Sequence, residues 1–262
     1  MPAIHHIASF LDRFAPVGLA EEWDNVGLLV GDRTREVRRV MTCLTITPAS
    51  AAEAVGREAD LIVAHHPLPF SALKRLTIDT LAGRLLLDLI AARIAVYSPH
   101  TAFDSAPGGI NQRLAVGLGL RGITPLTTYA DGRSAGRMGW LDNPCTLAVL
   151  GQRLKEFLHL ERLQMVGNGG QSVRTLAVAC GAAGELLGAA HAAGCDAMLL
   201  GEARFHTCLE AEALGVGLLL PGHFASERFA LEHLADVLAE RFPPCEVWAS
   251  RSERDPLQWI GA

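Results

Sequence analysis

Three short stretches of this chain gather the side chains that bind metals and move protons. His65 and His66 stand side by side at the end of the apolar run Leu61-Ile62-Val63-Ala64, and Pro67 stops that run. A second stretch reads Pro99-His100-Thr101-Ala102-Phe103-Asp104, and a third reads Pro221-Gly222-His223-Phe224-Ala225-Ser226-Glu227. Each of these two places a histidine four residues before a carboxylate. Imidazole nitrogen combined with carboxylate oxygen suits Zn, Mn, Fe or Ni, and a carboxylate can bridge two cations through its two oxygens. Neighbouring residues on a strand point to opposite faces, so His65 and His66 serve two adjacent cations more naturally than they chelate one. Taken singly the HxxxE spacing is weak, because it recurs by chance on many helices. The weight comes from three such clusters, each following a strand-like run.

Those runs belong to an alternating α/β pattern. Val37 to Ile46 reads as a strand, Thr47-Pro48 as an N-cap and first turn, Ala49 to Glu58 as a helix and Asp60 to Ala64 as the next strand. A further helix, Asp79 to Arg93, leads into the strand Ile94 to Ser98. Alternation of this kind builds parallel strands with helical crossovers, whose carboxyl ends open into a ligand crevice. The second half repeats the design: Val173 to Cys180 is strand-like, Ala182 to Ala193 helical and Asp196 to Leu200 strand-like. At an offset of 136 positions, Val37, Arg38 and Asp60 fall on Val173, Arg174 and Asp196, while His65 and His66 fall on Gly201 and Glu202. The expected fold is therefore α/β, with two interleaved domains of related βαβ units and mixed or mostly parallel sheets flanked by helices. Thr124 to Gly139 has the composition of a crossing loop, which puts a boundary near Thr127. Residues 1–126 with 221–262 then form the metal-binding domain, and 127–220 an inserted second one. The helix Ser226 to Arg241 and the strand Glu246 to Ser250 return to the first domain.

Composition limits the function. Half of the 262 residues are hydrophobic, 19% are charged and the net charge is -5, which describes a globular protein and argues against a duplex nucleic-acid binder. The six cysteines form no CxxC pair, so neither a disulfide framework nor a thiolate zinc site is expected. With no basic-then-apolar leader and no run of about 18 apolar residues, a cytoplasmic location off the membrane is expected. His5, His6, His159, His191 and His233 lie in helix-like or terminal segments and read as structural. Asp24-Asn25 before an apolar strand lines the cleft or simply makes a turn, and Pro107-Gly108-Gly109 makes a phosphate nest or a helix start.

Four blocks together resemble a known family. Glu22-Trp23-Asp24-Asn25-Val26-Gly27-Leu28-Leu29-Val30-Gly31-Asp32, Asp60 to Leu68, His100 to Asn111 and Gly222 to Glu227 are similar to the signature blocks of the Nif-three-like dinuclear-metal proteins, often labelled GTP cyclohydrolase I type 2 homologues. The resemblance implies two α/β domains, a pair of divalent cations per subunit and a toroidal homohexamer. Carried over, it makes His65, His66, Asp104, His223 and Glu227 the metal ligands. His66 and Asp104 share one cation, His65 and His223 the other, and Glu227 bridges. Gly201-Glu202 and His206 match a further block, which makes Glu202 a candidate for supporting the ligands or facing substrate.

One departure stands out. Many members read Leu-Asp-Val-Thr where this chain reads Leu44-Thr45-Ile46-Thr47, so a carboxylate near the cleft is replaced by a hydroxyl that is no general base near neutral pH. Two cations would activate a water and clamp a substrate oxygen, the logic of two-metal hydrolysis. His100 or His206 would donate the proton to the leaving group. No GxxxxGK[ST] loop is present, so a nucleotide or phosphate ester would be held by metals and nearby side chains. The competing expectation is a metal-dependent interaction or regulatory scaffold without turnover.

Overall fold

The computed structural model describes residues 1–260, and the chain divides into two compact units. Met1–Phe103 with the segment from Ala230 onward forms the first, and Asp104–Phe229 the second. Both are mixed α/β.

The first unit is built on a five-stranded sheet in the order Gly27–Val30, Ala95–Ser98, Leu61–Ala64, Arg39–Cys43, Glu246–Ala249. Gly27–Val30 runs antiparallel to its neighbour, and the other three pairings are parallel. Parallel strands are covered on both faces, which explains why Leu61–Ala64 and Ala95–Ser98 are buried at every position. Met41, Ile62, Leu85, Leu89, Val96 and Trp248 belong to one core cluster beside the sheet. The expected cap is present: Thr47 Oγ1 accepts from Ser50 N at 3.2 Å while Ser50 Oγ accepts from Thr47 N at 2.8 Å, and the helix Pro48–Gly56 follows. The helix Leu81–Ala91 is capped by Thr80 and leads to the strand Ala95–Ser98.

The second unit carries a six-stranded sheet in the order Arg121–Thr124, Arg137–Thr146, Ser172–Ala179, Ala197–Leu200, Gly217–Leu220, Gln164–Val166. Its three central pairing partners, Ser172–Ala179, Ala197–Leu200 and Gly217–Leu220, are parallel, and its edges are antiparallel. Ala177, Met198, Leu200, Leu218 and Leu220 fill its core.

The repeat seen in the sequence has a local physical content. Asp60 Oδ2 accepts from the backbone N–H groups of Arg38 and Arg39 at 2.7 and 3.0 Å. Asp196 Oδ2 does the same for Arg174 and Thr175, at 2.8 Å each. In both units an aspartate at the start of one parallel strand thus ties down the start of its neighbour.

The boundary expected near Thr127 falls inside the second unit. Arg121–Thr124 pairs with Arg137–Thr146, and Gly117 of the helix Ile110–Gly117 packs against the Phe157 ring. Thr124 to Gly139 is not a crossing loop: Thr127–Thr128 and Ser134–Ala135 pair as a small hairpin, and the next long strand has begun by Arg137. Ala182 to Ala193 is also less regular than expected, with a 3-10 turn at Gly184–Leu186 before the helix Leu187–Ala192. Among the described residues no helix is long and apolar enough to cross a membrane. Among the described residues no two cysteines are joined by a disulfide.

Candidate metal centre

The parallel ladder continues past Leu61–Ala64 far enough to fix the paired histidines. His65 N donates to Cys43 O at 2.9 Å and His66 N to Leu44 O at 2.8 Å, so neither backbone position is free to rotate. His65 is fully buried and His66 partly so. The strand Ala95–Ser98 delivers His100, the first residue of the helix His100–Ser105, and Ser98 Oγ donates to His65 O at 2.6 Å. The ring centroids of His65, His66 and His100 lie 5.1, 5.2 and 5.6 Å apart. One nitrogen from each lies within 4.8 Å of the others, a spacing at which the three could hold a metal ion.

The rings of His66 and His100 each have a supporting side chain. His66 Nδ1 is 2.6 Å from Thr45 Oγ1, so a hydroxyl orients the ring. Thr45 is held in turn by Glu253, whose Oε1 accepts from Leu44 N and Thr45 N at 2.8 and 2.9 Å. His100 adopts φ +26°, a conformation rare for a residue with a Cβ. Asp24 stabilises it there. Its Oδ1 lies 2.7 Å from His100 Nδ1, and its Oδ2 accepts from Thr101 N at 3.1 Å and from the Thr101 hydroxyl. Burial pushes the Asp24 carboxyl up, yet the bonds from His100 and Thr101 outweigh it and hold the group below its ordinary 3.8. Asn25 Nδ2 donates to Pro69 O at 2.8 Å. Asp24 therefore positions His100, and Asn25 ties down a loop.

The second unit contributes its own acidic and imidazole cluster. The helix expected from Ser226 begins at His223, because Gly222 at φ +98° turns the chain directly out of the strand Gly217–Leu220. His223 and Glu227 thus share one helical face, with Nε2 and Oε2 3.2 Å apart. His223 Nδ1 meets Glu202 Oε1 at 2.9 Å. The hydrogen bond to Glu227 comes first among the causes that raise His223 to about 9; burial opposes it and Glu202 adds to it. Asp104 Oδ1 accepts from Cys180 Sγ at 3.1 Å, and burial first, then the charge of Asp104, pushes that thiol up. His206 stands exposed in the first turn of the helix Phe205–Leu214, its ring beside Phe205 at 5.8 Å.

Two glycines permit this packing. A Cβ on Gly201 would fall 2.5 Å from Gly181 O and 2.6 Å from Ser226 Oγ. Gly181, at φ +63°, lies directly under Glu227 Oε1, and Ser226 Oγ accepts from its N–H at 3.0 Å. Gly181, Cys180 and Thr101 were not singled out as site residues from the sequence. The only signal for Gly181 was its place after a strand, at the position that Thr45 holds in the repeat.

The sequence profile described as Duf34/NIF3 (NGG1p interacting factor 3) matches residues 2–256. The chain belongs to the Duf34/NIF3 family. Among NIF3 relatives, a "GTP cyclohydrolase 1 type 2 homolog" of Clostridium perfringens is 32% identical over 260 residues, covering 98% of this chain and 99% of the relative. A "NIF3-like protein 1" of Drosophila melanogaster is 31% identical over 262 residues, covering 96% and 87%. The NIF3 fold recurs in a solved Bacillus cereus protein related to NIF3, with a TM-score of 0.89 at 22% identity and 99% coverage of both chains. A Staphylococcus aureus protein aligns with a TM-score of 0.88 at 26% identity, covering 98% of this chain and 99% of its own.

Proposed function

We propose that His65, His66, Asp104, His223 and Glu227 hold two divalent cations, and that the protein is a metal-dependent hydrolase of a nucleotide or another phosphate ester. The observation that supports this reading is the pair of imidazoles at the strand end, with ligand atoms of His65 and His66 within 4.8 Å of each other. The donor chemistry fits: neutral imidazoles and carboxylates suit Zn, Mn, Fe or Ni. His66 and Asp104 are assigned to one cation, His65 and His223 to the other, and Glu227 to both. The printed name of the Clostridium perfringens relative supports a nucleotide-related substrate. When bound, such a pair supplies Lewis-acid activation of water and an electrostatic clamp on a substrate oxygen.

The chain's own groups then have defined tasks. Asp24 orients the His100 ring through Nδ1 at 2.7 Å, and His100 is assigned to deliver a proton to the leaving group. This makes His100, rather than the exposed His206, the proton donor. Thr45 and Glu202 orient His66 and His223 through their Nδ1 atoms. A toroidal homohexamer acting in the cytoplasm completes the proposal.

The test is metal analysis joined to turnover. Wild-type protein loaded with Zn or Mn should hydrolyse a member of a nucleotide and phosphate-ester panel, and folded His66→Ala and Glu227→Ala variants should lose that activity along with metal content. Metal-loaded wild type that turns over nothing across the panel would leave the scaffold reading in its place. Native mass spectrometry that finds no hexamer would remove the ring.

A further inference from the structure

Trp23 and Phe70 are both large, both aromatic and both more than half exposed, at 62% and 56%. They are in contact, with ring centroids 5.9 Å apart and planes inclined by 36°. Each also meets His100 edge-on, at 5.9 and 6.0 Å. With Asn25, Ser71 and Ala72 they line a cavity of about 530 Å³. That size falls among pockets that hold small molecules.

The rings are exposed, but their anchors are not loose. Trp23 precedes Asp24, whose side chain is fully buried and bound to His100 and Thr101, and Asp24 N donates to Glu21 O at 3.0 Å. Glu21 N in turn donates to Thr101 Oγ1 at 3.0 Å. Phe70 follows Pro69, whose carbonyl is held by the Asn25 side chain at 2.8 Å. Asn25 gives one of its two side-chain N–H groups to Pro69, its Oδ1 is an acceptor, and the Ser71 hydroxyl adds a group that donates or accepts. Two flat apolar walls and a polar edge therefore bound one pocket, and both walls touch the His100 ring. Presenting two rings on a preorganised base lowers the cost of ordering them when a ligand stacks.

We infer that this pocket is a stacking subsite for a planar heterocycle of nucleobase size, which lies on Trp23 and Phe70 with a polar edge toward Asn25 and Ser71. The inference deepens the proposed function by naming the part of the substrate bound beside His100, and it rests on that reading only for the identity of the reaction. Ring stacking contributes about 1–3 kcal/mol per base, and tenfold corresponds to about 1.4 kcal/mol, so losing one wall should weaken binding by roughly 5- to 150-fold.

The experiment uses the full-length protein and three probes: guanosine and adenosine, which carry the ring without phosphate, and ribose 5-phosphate, which carries phosphate without the ring. Binding is followed by tryptophan fluorescence and by equilibrium dialysis. At least one nucleoside should bind, Trp23→Ala and Phe70→Ala should weaken it by the stated factor, and Trp23→Phe should retain it within about threefold. Ribose 5-phosphate binding and metal content should be unchanged in Trp23→Ala. Failure of both nucleosides to bind, or equal binding by wild type and Trp23→Ala, overturns the subsite while leaving the metal reading intact. A change in oligomer mass in Trp23→Ala with unaltered nucleoside binding overturns it too, and assigns the rings to a subunit contact. Loss of metal content from wild type on purification would instead count against the metal reading.

Discussion

Replacing Gly181 by alanine separates two costs that usually arrive together. The backbone there has φ +63°, and alanine in a left-handed conformation costs about 1–2 kcal/mol. The new Cβ would also clash with Glu227 Oε1, and because ordinary contact begins at 3.4 Å the carboxylate must retreat by about 1 Å. Its side chain is only 4% exposed, which leaves it little room to do so without leaving His223. Ligand constellations tolerate about 0.5 Å, and disturbances of the groups around a metal cost about 10–100-fold in affinity. Gly215 supplies the control: it has φ +72° with open space around its would-be Cβ, so Gly215→Ala carries the backbone cost alone. Thermal melts of metal-free protein should show a loss of about 1–2 kcal/mol for Gly215→Ala and a larger one for Gly181→Ala. Isothermal titration with Zn²⁺ should show a 10–100-fold loss for Gly181→Ala only. Equal zinc affinity in the two variants would refute the placement of Glu227 in a metal site.

Two further outcomes follow from the groups around the cluster. Thr45→Val removes the hydroxyl 2.6 Å from His66 Nδ1 and should weaken metal binding by about 10–100-fold, with Thr45→Ser restoring it; titration of a valine variant indistinguishable from wild type would contradict the role given to Thr45. Glu53 is tied to the C-terminal segment by bonds from Trp248 Nε1 at 3.0 Å, Ser250 Oγ and Ser252 Oγ at 2.7 Å each, and the N–H groups of Arg251 and Ser252. Burial raises its carboxyl, but the bonds from Ser252, Ser250 and the two N–H groups overcome this and bring it from 4.5 to about 2. The folded value lies below the unfolded one, so this stabilisation is complete above 4.5 and fades as pH falls toward about 2. Glu53→Gln should therefore destabilise by about 1–3 kcal/mol at neutral pH, and urea melts should show the deficit shrinking through that acid window. A deficit independent of pH would remove the carboxylate from the explanation.

The α/β alternation was legible because buried parallel strands demand continuous apolar runs, as in Leu61–Ala64 and Ala197–Leu200. The cap at Thr47 and the paired aspartates Asp60 and Asp196 also follow from local chemistry. The antiparallel edges did not read so clearly. Arg137–Thr146 carries polar and exposed positions and a proline, and its pairing with Arg121–Thr124 depends on long-range register rather than on a local signal. No local signal therefore marks Asp104–Leu126 as part of the second unit. The histidines of the site were visible by type and spacing, whereas their supports were not. Nothing local links Glu253 to Thr45 or Asp24 to His100, since each pair meets only when strands distant in sequence are laid side by side.

The central claim is the pair of cations, and crystals of metal-loaded protein measured at the metal's absorption edge test it directly. The account predicts two anomalous peaks per chain, one beside His66 and Asp104 and the other beside His65 and His223, with Glu227 touching both. A single peak, or peaks remote from these five side chains, would contradict it.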